Sequence, residues 1–425
     1  MKNLLLSALA ISALALTGCI QDDDTPIIVE ETTIINNNNS GSEGNADCIT
    51  KTGGIALDET WTADNCYILD RKVVVQEGVT LTIEPGTIIK GTAGTGSLSS
   101  ALIVARGGKL IAEGTATQPI IFTSVSDNIE IGSTSGTNLN ENNIGLWGGV
   151  IVLGRASGSF AGNVTERQIE GIPASDSFGL YGPGDSPAVD DDNSGILKYV
   201  SIRHGGSLLG AENEINGLTL GSVGSGTTID NVEVIGNKDD GIEFFGGTVN
   251  ASNLLVWAVG DDALDVDEAY SGTIDNAVVV LGANSDHGLE IDGPEGTLNG
   301  ACTINNLTMI GNGDVGSEYA DYRSNAQAAT NNVYAYGFGP SADVELDNDG
   351  VATNYNNGLV SFSNWQVVLP TGVNAAGDIF VNNGSVATPG YGTEATAVAQ
   401  GSQTTGANTA NLSWTYANTA GGLGF

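Results

Sequence analysis

The chain has 425 residues, with 13 basic and 50 acidic side chains and a formal net charge of −37. Nucleic acid requires a cationic footprint and an anionic bilayer would repel this chain, so neither is an electrostatic partner; membrane attachment must be covalent or hydrophobic. At 40% apolar, with only nine Phe, five Trp and two Met, the chain can bury a large and mainly aliphatic core, which excludes wholesale disorder.

The N-terminal segment reads as an address. Lys2, the apolar run from Leu4 to Leu16 and the small residues Thr17-Gly18 form a basic start, a hydrophobic stretch too short to span a bilayer, and a cleavage site. Leu16-Thr17-Gly18-Cys19 resembles a bacterial lipobox. That resemblance implies removal of the signal peptide 1–18 and acylation of Cys19, palmitate included, with the several chains that firm anchoring requires. Ile20 rather than Asp follows Cys19, so the usual inner-membrane retention signal is missing. Asp22-Asp23-Asp24 resembles an export tag of surface lipoproteins and equally suits a solvated charge cluster. The polar, low-complexity residues 19–47 read as a flexible spacer. The expected address is the outer membrane, lipid-anchored, at the cell surface.

Cys48 and Cys66 open the folded body and are expected to pair in an oxidising compartment. Cys302 is left over as a buried thiol. Further along, Asn231-Val232-Glu233-Val234 recurs at Asn253, Asn276 and Asn306 in steps of 22, 23 and 30 residues. Alternate residues after each Asn are apolar, and no helical pattern intervenes, which predicts a β-solenoid with its coils about 4.8 Å apart. The Asn residues are expected to stack inside one turn and bond the backbone of adjacent coils. Strand texture from Val73 to Met309 predicts roughly ten coils. Segments 126–144 and 157–195 read as long loops leaving the rod. Residues 311–425 are expected to form irregular terminal coils and a cap, after an N-terminal cap and a β-helix over 48–310.

Four motifs carry a resemblance: Trp61-Thr62 with Asn65-Cys66-Tyr67-Ile68-Leu69; Thr80 to Thr87; Gly145-Leu146-Trp147-Gly148-Gly149; and Asp239 to Asn250. They resemble a family of exported bacterial β-helix proteins over about residues 60–310. The resemblance implies an all-β fold, the right-handed parallel β-helix, and supports export without implying a reaction.

The repeats align a second set of residues. Asp239, Asp261 and Asp286 form one row, and Asp240, Asp262 and His287 the next. Glu243, Asp265 and Glu290 form a third, and Phe245, Asp267 and Asp292 a fourth. Strand alternation puts Ile242, Phe244, Leu264, Val266, Leu289 and Ile291 inside, so the third and fourth rows face outward. Stacked charges 4.8 Å apart repel by roughly 1 kcal/mol in water and several in a poorer dielectric, so this grid requires cations, protons or splaying into solvent. The first row also suits turn residues. Oxygen donors with little nitrogen or sulfur suit Ca²⁺, with Glu243, Asp265, Asp267, Glu290 and Asp292 as ligands. Asp347-Asn348-Asp349-Gly350 resembles part of a calcium loop.

Asp240, the pair Asp261-Asp262, Asp286-His287-Gly288 and Arg323 have a weaker resemblance to polygalacturonase-like β-helix enzymes. Asp240, Asp262, His287 and Arg323 are the residues it implies for glycoside hydrolysis. It departs in that no Lys follows Arg323 and Asp286 replaces a Gly. His204 reads as a turn residue. The expected function is a Ca²⁺-stabilised surface β-helix that binds a glycan or a protein partner, with Phe245, Trp257 and the two loops as contact elements. A hydrolase or lyase acting on acidic glycans and a structural spacer or adhesin are the alternatives.

Overall fold

The computed structural model describes residues 48–208, 215–313 and 317–424. Cys19, the leader and the spacer lie outside them. Short strands pair in parallel with their equivalents in the next coil, and the molecule is a right-handed parallel β-helix. Each regular coil gives one segment to each of three sheets. The first sheet includes Ile88–Gly91, Ile120–Ser124 and the second halves of Gly195–Arg203, Thr228–Ile235, Asn250–Trp257 and Thr273–Val280. The second includes Ala101–Val104, Val150–Leu153, Leu218–Gly221, Ile242–Phe245, Leu264–Asp267 and His287–Ile291. Thr80–Ile83, Lys109–Glu113 and the first halves of the long strands build the third.

The corner between the third and first sheets explains the repeated Asn. At this bend Asn231, Asn253, Asn276 and Asn306 have φ of 55°, 55°, 60° and 56°, and Asn332 and Asn364 continue the series. A single left-handed residue turns the strand, and Asn tolerates that conformation better than other side chains with a Cβ. The amides bond side chain to side chain, not to the adjacent backbone as expected. Asn276 Nδ2 donates to Asn253 Oδ1 at 2.7 Å, and Asn253 Nδ2 donates to Asp230 Oδ1 at 2.7 Å. The shared bend points each amide at the polar side chain on the same corner one coil before.

Ile242, Leu264 and Leu289 stack in register inside the rod, as do Phe244, Val266 and Ile291, and all are buried. Aliphatic residues fill the middle of this core, while aromatic side chains gather towards the ends. Trp61 stacks on Tyr67 at 4.8 Å, and Phe362, Trp365, Phe380 and Tyr391 form a cluster in the last coils. Seven second-sheet rungs lie between residues 73 and 309 among the described residues, fewer than the ten expected, because the two long loops consume chain without adding coils.

Two segments cover the outside of the rod. The insertion 157–195 buries Phe160, Ile169, Ile172 and Tyr181 against Ile103, Ile151 and Phe245 of the second sheet. Past residue 310 the sheets stay regular through Ala395–Ala397, contrary to the irregular coils expected there. The tail then turns back along the first sheet. Asn408 N donates to Asn276 Oδ1 at 2.5 Å, Asn411 Nδ2 to Asn253 Oδ1 at 2.9 Å, and Tyr416 N to Glu233 Oε1 at 2.9 Å. Leu412, Tyr416 and Ala417 pack on Leu255, Trp257 and Val278. Phe245 and Trp257 do point away from the main core, but each is 8% exposed beneath these covers. Neither is an available contact element.

Candidate functional site

The outer face of the second sheet changes character along the rod. It is apolar at Val74, Ile103 and Ile151, where the insertion lies, and turns acidic at Glu243. From there Glu243, Asp265, Glu290, Asp321 and Glu345 occupy one register position on five successive coils. The first three of these rungs form the third row read from the sequence. Asp321 and Glu345 were missed, although extending the 30-residue Asn step would have found them.

Beside the upper rungs is a cleft of 670 Å³, lined by the first three rows together with Glu170, Lys238 and Arg323. Its carboxylates face outward, yet Asp240, Asp262, Glu243, Asp265 and Glu290 are all buried. They therefore lack the water screening that a solvated face would give. Glu170 comes from the insertion, which no periodic signal could connect to the grid.

Part of the second row has a structural duty. Asp240 Oδ1 accepts the Asp262 backbone N–H at 2.9 Å, and Asp262 Oδ1 accepts the His287 backbone N–H at 2.9 Å. Each Asp thus joins its coil to the next. In the first row, the Asp286 N–H donates to the Asp261 carbonyl at 3.0 Å, a backbone bond between turns. Burial, then repulsion from Asp262 and Asp286, pushes the Asp261 carboxyl up to about 6.

Two clusters bring potential metal ligands together. In the first, Asp240, Glu243 and Asp265 offer oxygens within 4.8 Å of one another. Burial and mutual repulsion push all three well above the usual carboxylate range. Glu243 Oε2 accepts a short hydrogen bond from Asn216 Nδ2, while the buried Asp265 Oδ1 has no hydrogen-bond partner. Glu243 and Asp265 also meet carboxyl to carboxyl, which requires a shared proton or a cation between them. An all-carboxylate donor set with an orphaned buried oxygen fits a hard divalent ion such as Ca²⁺.

Asp262, His287 and Glu290 form the second cluster. His287 Nδ1 lies 2.7 Å from Asp262 Oδ1. Burial works against the charged imidazole, but Asp262 and further acids outweigh it and raise His287 to about 9. Burial followed by repulsion from Asp265 and Asp262 pushes Glu290 up to about 11. Arg323 closes this side with a short ion pair to Glu290 and a longer one to Asp292 Oδ2 at 3.3 Å.

The five calcium ligands expected from the sequence are therefore not one centre. Glu243 and Asp265 join Asp240, whereas Glu290 and Asp292 are neutralised by Arg323. Asp267 accepts the Glu268 backbone N–H at 2.6 Å and stands in the neighbouring row. Of the implied hydrolytic set, Asp262 and His287 touch, Asp240 is held one coil earlier, and Arg323 is engaged by two carboxylates. The Asp347–Gly350 segment is a helix start rather than a calcium loop: Asn348 Oδ1 accepts from Gly350 N at 2.9 Å and caps the helix Asp349–Asn356.

Cys48 and Cys66 are disulfide-bonded. Cys302 is buried, its thiol pushed up to about 12 by desolvation. His204 is buried with Nδ1 2.8 Å from the Asn143 carbonyl, and burial lowers it to about 4. Among the described residues, no helix is long and apolar enough to cross a membrane.

No curated protein and no solved structure matches the chain. A family model described as a pectate-lyase-like beta helix domain matches residues 53–419. With most of its length matched and its strands wound into the corresponding solenoid, the chain belongs to the pectate-lyase-like β-helix family.

Proposed function

We propose that this is an exported lipoprotein, anchored through Cys19 to the outer membrane and displayed at the cell surface, whose β-helix binds Ca²⁺ and presents a glycan- or protein-binding face. Family membership supports a carbohydrate-related role. The observation that carries the cation reading is the Asp240–Glu243–Asp265 cluster with its unpaired buried Asp265 Oδ1. Binding there replaces repulsion among desolvated carboxylates with attraction, so the ion should stabilise the fold. The full chain should melt several degrees higher in Ca²⁺ than in EGTA, consistent with about 2.7 kcal/mol at a hundredfold excess over Kd. Asp265→Asn should abolish that difference; an unchanged Ca²⁺ response in this variant would remove the site. The anchor is tested by Cys19→Ser, which should move the protein from the membrane to the soluble fraction.

A second reading, glycoside hydrolysis, is favoured by the Asp262–His287 contact and by the neighbouring Glu290, which keeps its proton at neutral pH. A protonated carboxyl can donate to a leaving oxygen while a second carboxylate activates water. Release of oligosaccharide from a uronic-acid polymer, lost in Asp262→Asn, would establish this reading in place of the first.

A further inference from the structure

We infer that the ion held by Asp240, Glu243 and Asp265 is a bridge to a neutral glycan, whose vicinal hydroxyls complete its coordination. This rests on the cation reading above. Three carboxylates supply six oxygens, but Asp240 Oδ1 already accepts the Asp262 amide and Glu243 Oε2 accepts Asn216 Nδ2. Four are left, including the orphaned Oδ1 of Asp265, which is 9% exposed. Calcium takes six to eight oxygens, so about two to four positions must be filled from the cleft.

The chemistry of the walls selects what fills them. None of the residues lining the 670 Å³ cleft is aromatic, so no ring is available for a sugar to stack on. Two of the three basic groups there are already held: Arg323 by Glu290 and Asp292, His287 by Asp262. Asp239, Asp261 and Asp286 surround them with further negative charge. A uronate would meet repulsion from these acids. A neutral sugar would donate its hydroxyls to the wall carboxylates and place a diol on the ion, and both interactions suit a surface with many acceptors and few donors. The volume lies within the usual range for small-ligand pockets, about 300–1,000 Å³.

The test uses the full chain with oligosaccharides from mannan and dextran as neutral probes and oligogalacturonate as the acidic comparator, in Ca²⁺ and in EGTA. At least one neutral probe should bind in Ca²⁺ and lose at least about tenfold in affinity in EGTA, after periodate cleavage of its diols, and in Asp265→Asn. Glu243→Gln serves as a second variant, and the melting temperature in EGTA reports whether each variant is folded. Oligogalacturonate binding as tightly as the neutral probes, or neutral binding indifferent to EGTA or periodate, overturns the inference. A Ca²⁺-dependent rise in melting temperature with no neutral probe bound sinks the inference alone, because water then completes the coordination. Failure of Ca²⁺ to bind sinks the cation reading with it.

Discussion

Arg203 and Glu233 form an ion pair at 3.5 Å, with side chains only 2% and 0% exposed, beneath the returning C-terminal tail. Glu233 also accepts the backbone N–H of Tyr416 and of Ala417, and the Tyr416 ring lies 4.5 Å from the Arg203 guanidinium. The carboxylate thus joins two neighbouring coils to a segment more than 180 residues away in sequence. Glu233→Gln leaves Arg203 buried without its counter-charge, which costs about 3–5 kcal/mol. Urea denaturation should show that loss, and limited proteolysis should release the tail before the coils are cut. A tail that resists protease as well as wild type would refute the tethering role.

Asn276 bends the chain at φ 60° and bonds both to the preceding coil and to the tail. Asn276→Ala loses those bonds and forces a Cβ without a compensating polar group into the left-handed region, at about 1–2 kcal/mol for the conformation alone. Asn276→Gly loses the same bonds but adopts the bend without strain. Chemical denaturation should rank wild type above the glycine variant and the glycine variant above the alanine variant.

His204 is held near 4 by burial, below its ordinary 6.5, and is therefore neutral in the folded protein around neutral pH. The unfolded chain takes up a proton at higher pH than the folded one. The stabilisation is complete above about 6.5 and is lost as pH falls towards 4, by up to roughly 3 kcal/mol. His204 sits at φ 63°, which Asn tolerates. The pH profile of His204→Asn stability should therefore be flatter than wild type between 7 and 4, and parallel profiles would contradict this account.

Arg323 neutralises Glu290 and Asp292. Arg323→Met should lower the melting temperature in EGTA, since two carboxylates lose their counter-charge. It should also widen the gap between EGTA and Ca²⁺, because the ion then relieves more repulsion. A gap that narrows would show that Arg323 helps to build the cation site.

Much of the acidic face was legible in the sequence because a solenoid turns sequence spacing into spatial spacing. Glu243, Asp265 and Glu290 pair rung to rung at the offsets of 22 and 25 residues that align them in the chain. The grouping into separate clusters was not legible. Whether Glu290 faces a metal or a guanidinium depends on Arg323 reaching back from the next coil, 33 residues on. Burial was not legible either, since the alternation that sends Asp265 outward says nothing about what lies over it.

By itself the sequence determined what repeats: the coil, the inward alternation of Ile242, Leu264 and Leu289, the Asn bends, and the register of the acids. These follow from local backbone geometry and recur each time the chain passes the same corner. Tertiary structure alone decided what covers the rod, by laying residues 398–424 over Trp257 and the insertion over Phe245. Those contacts join segments far apart in sequence, such as Arg167 with Glu295, 128 residues away. A contact made once leaves no period to read, yet it determines which outward carboxylates meet water and which are left facing one another.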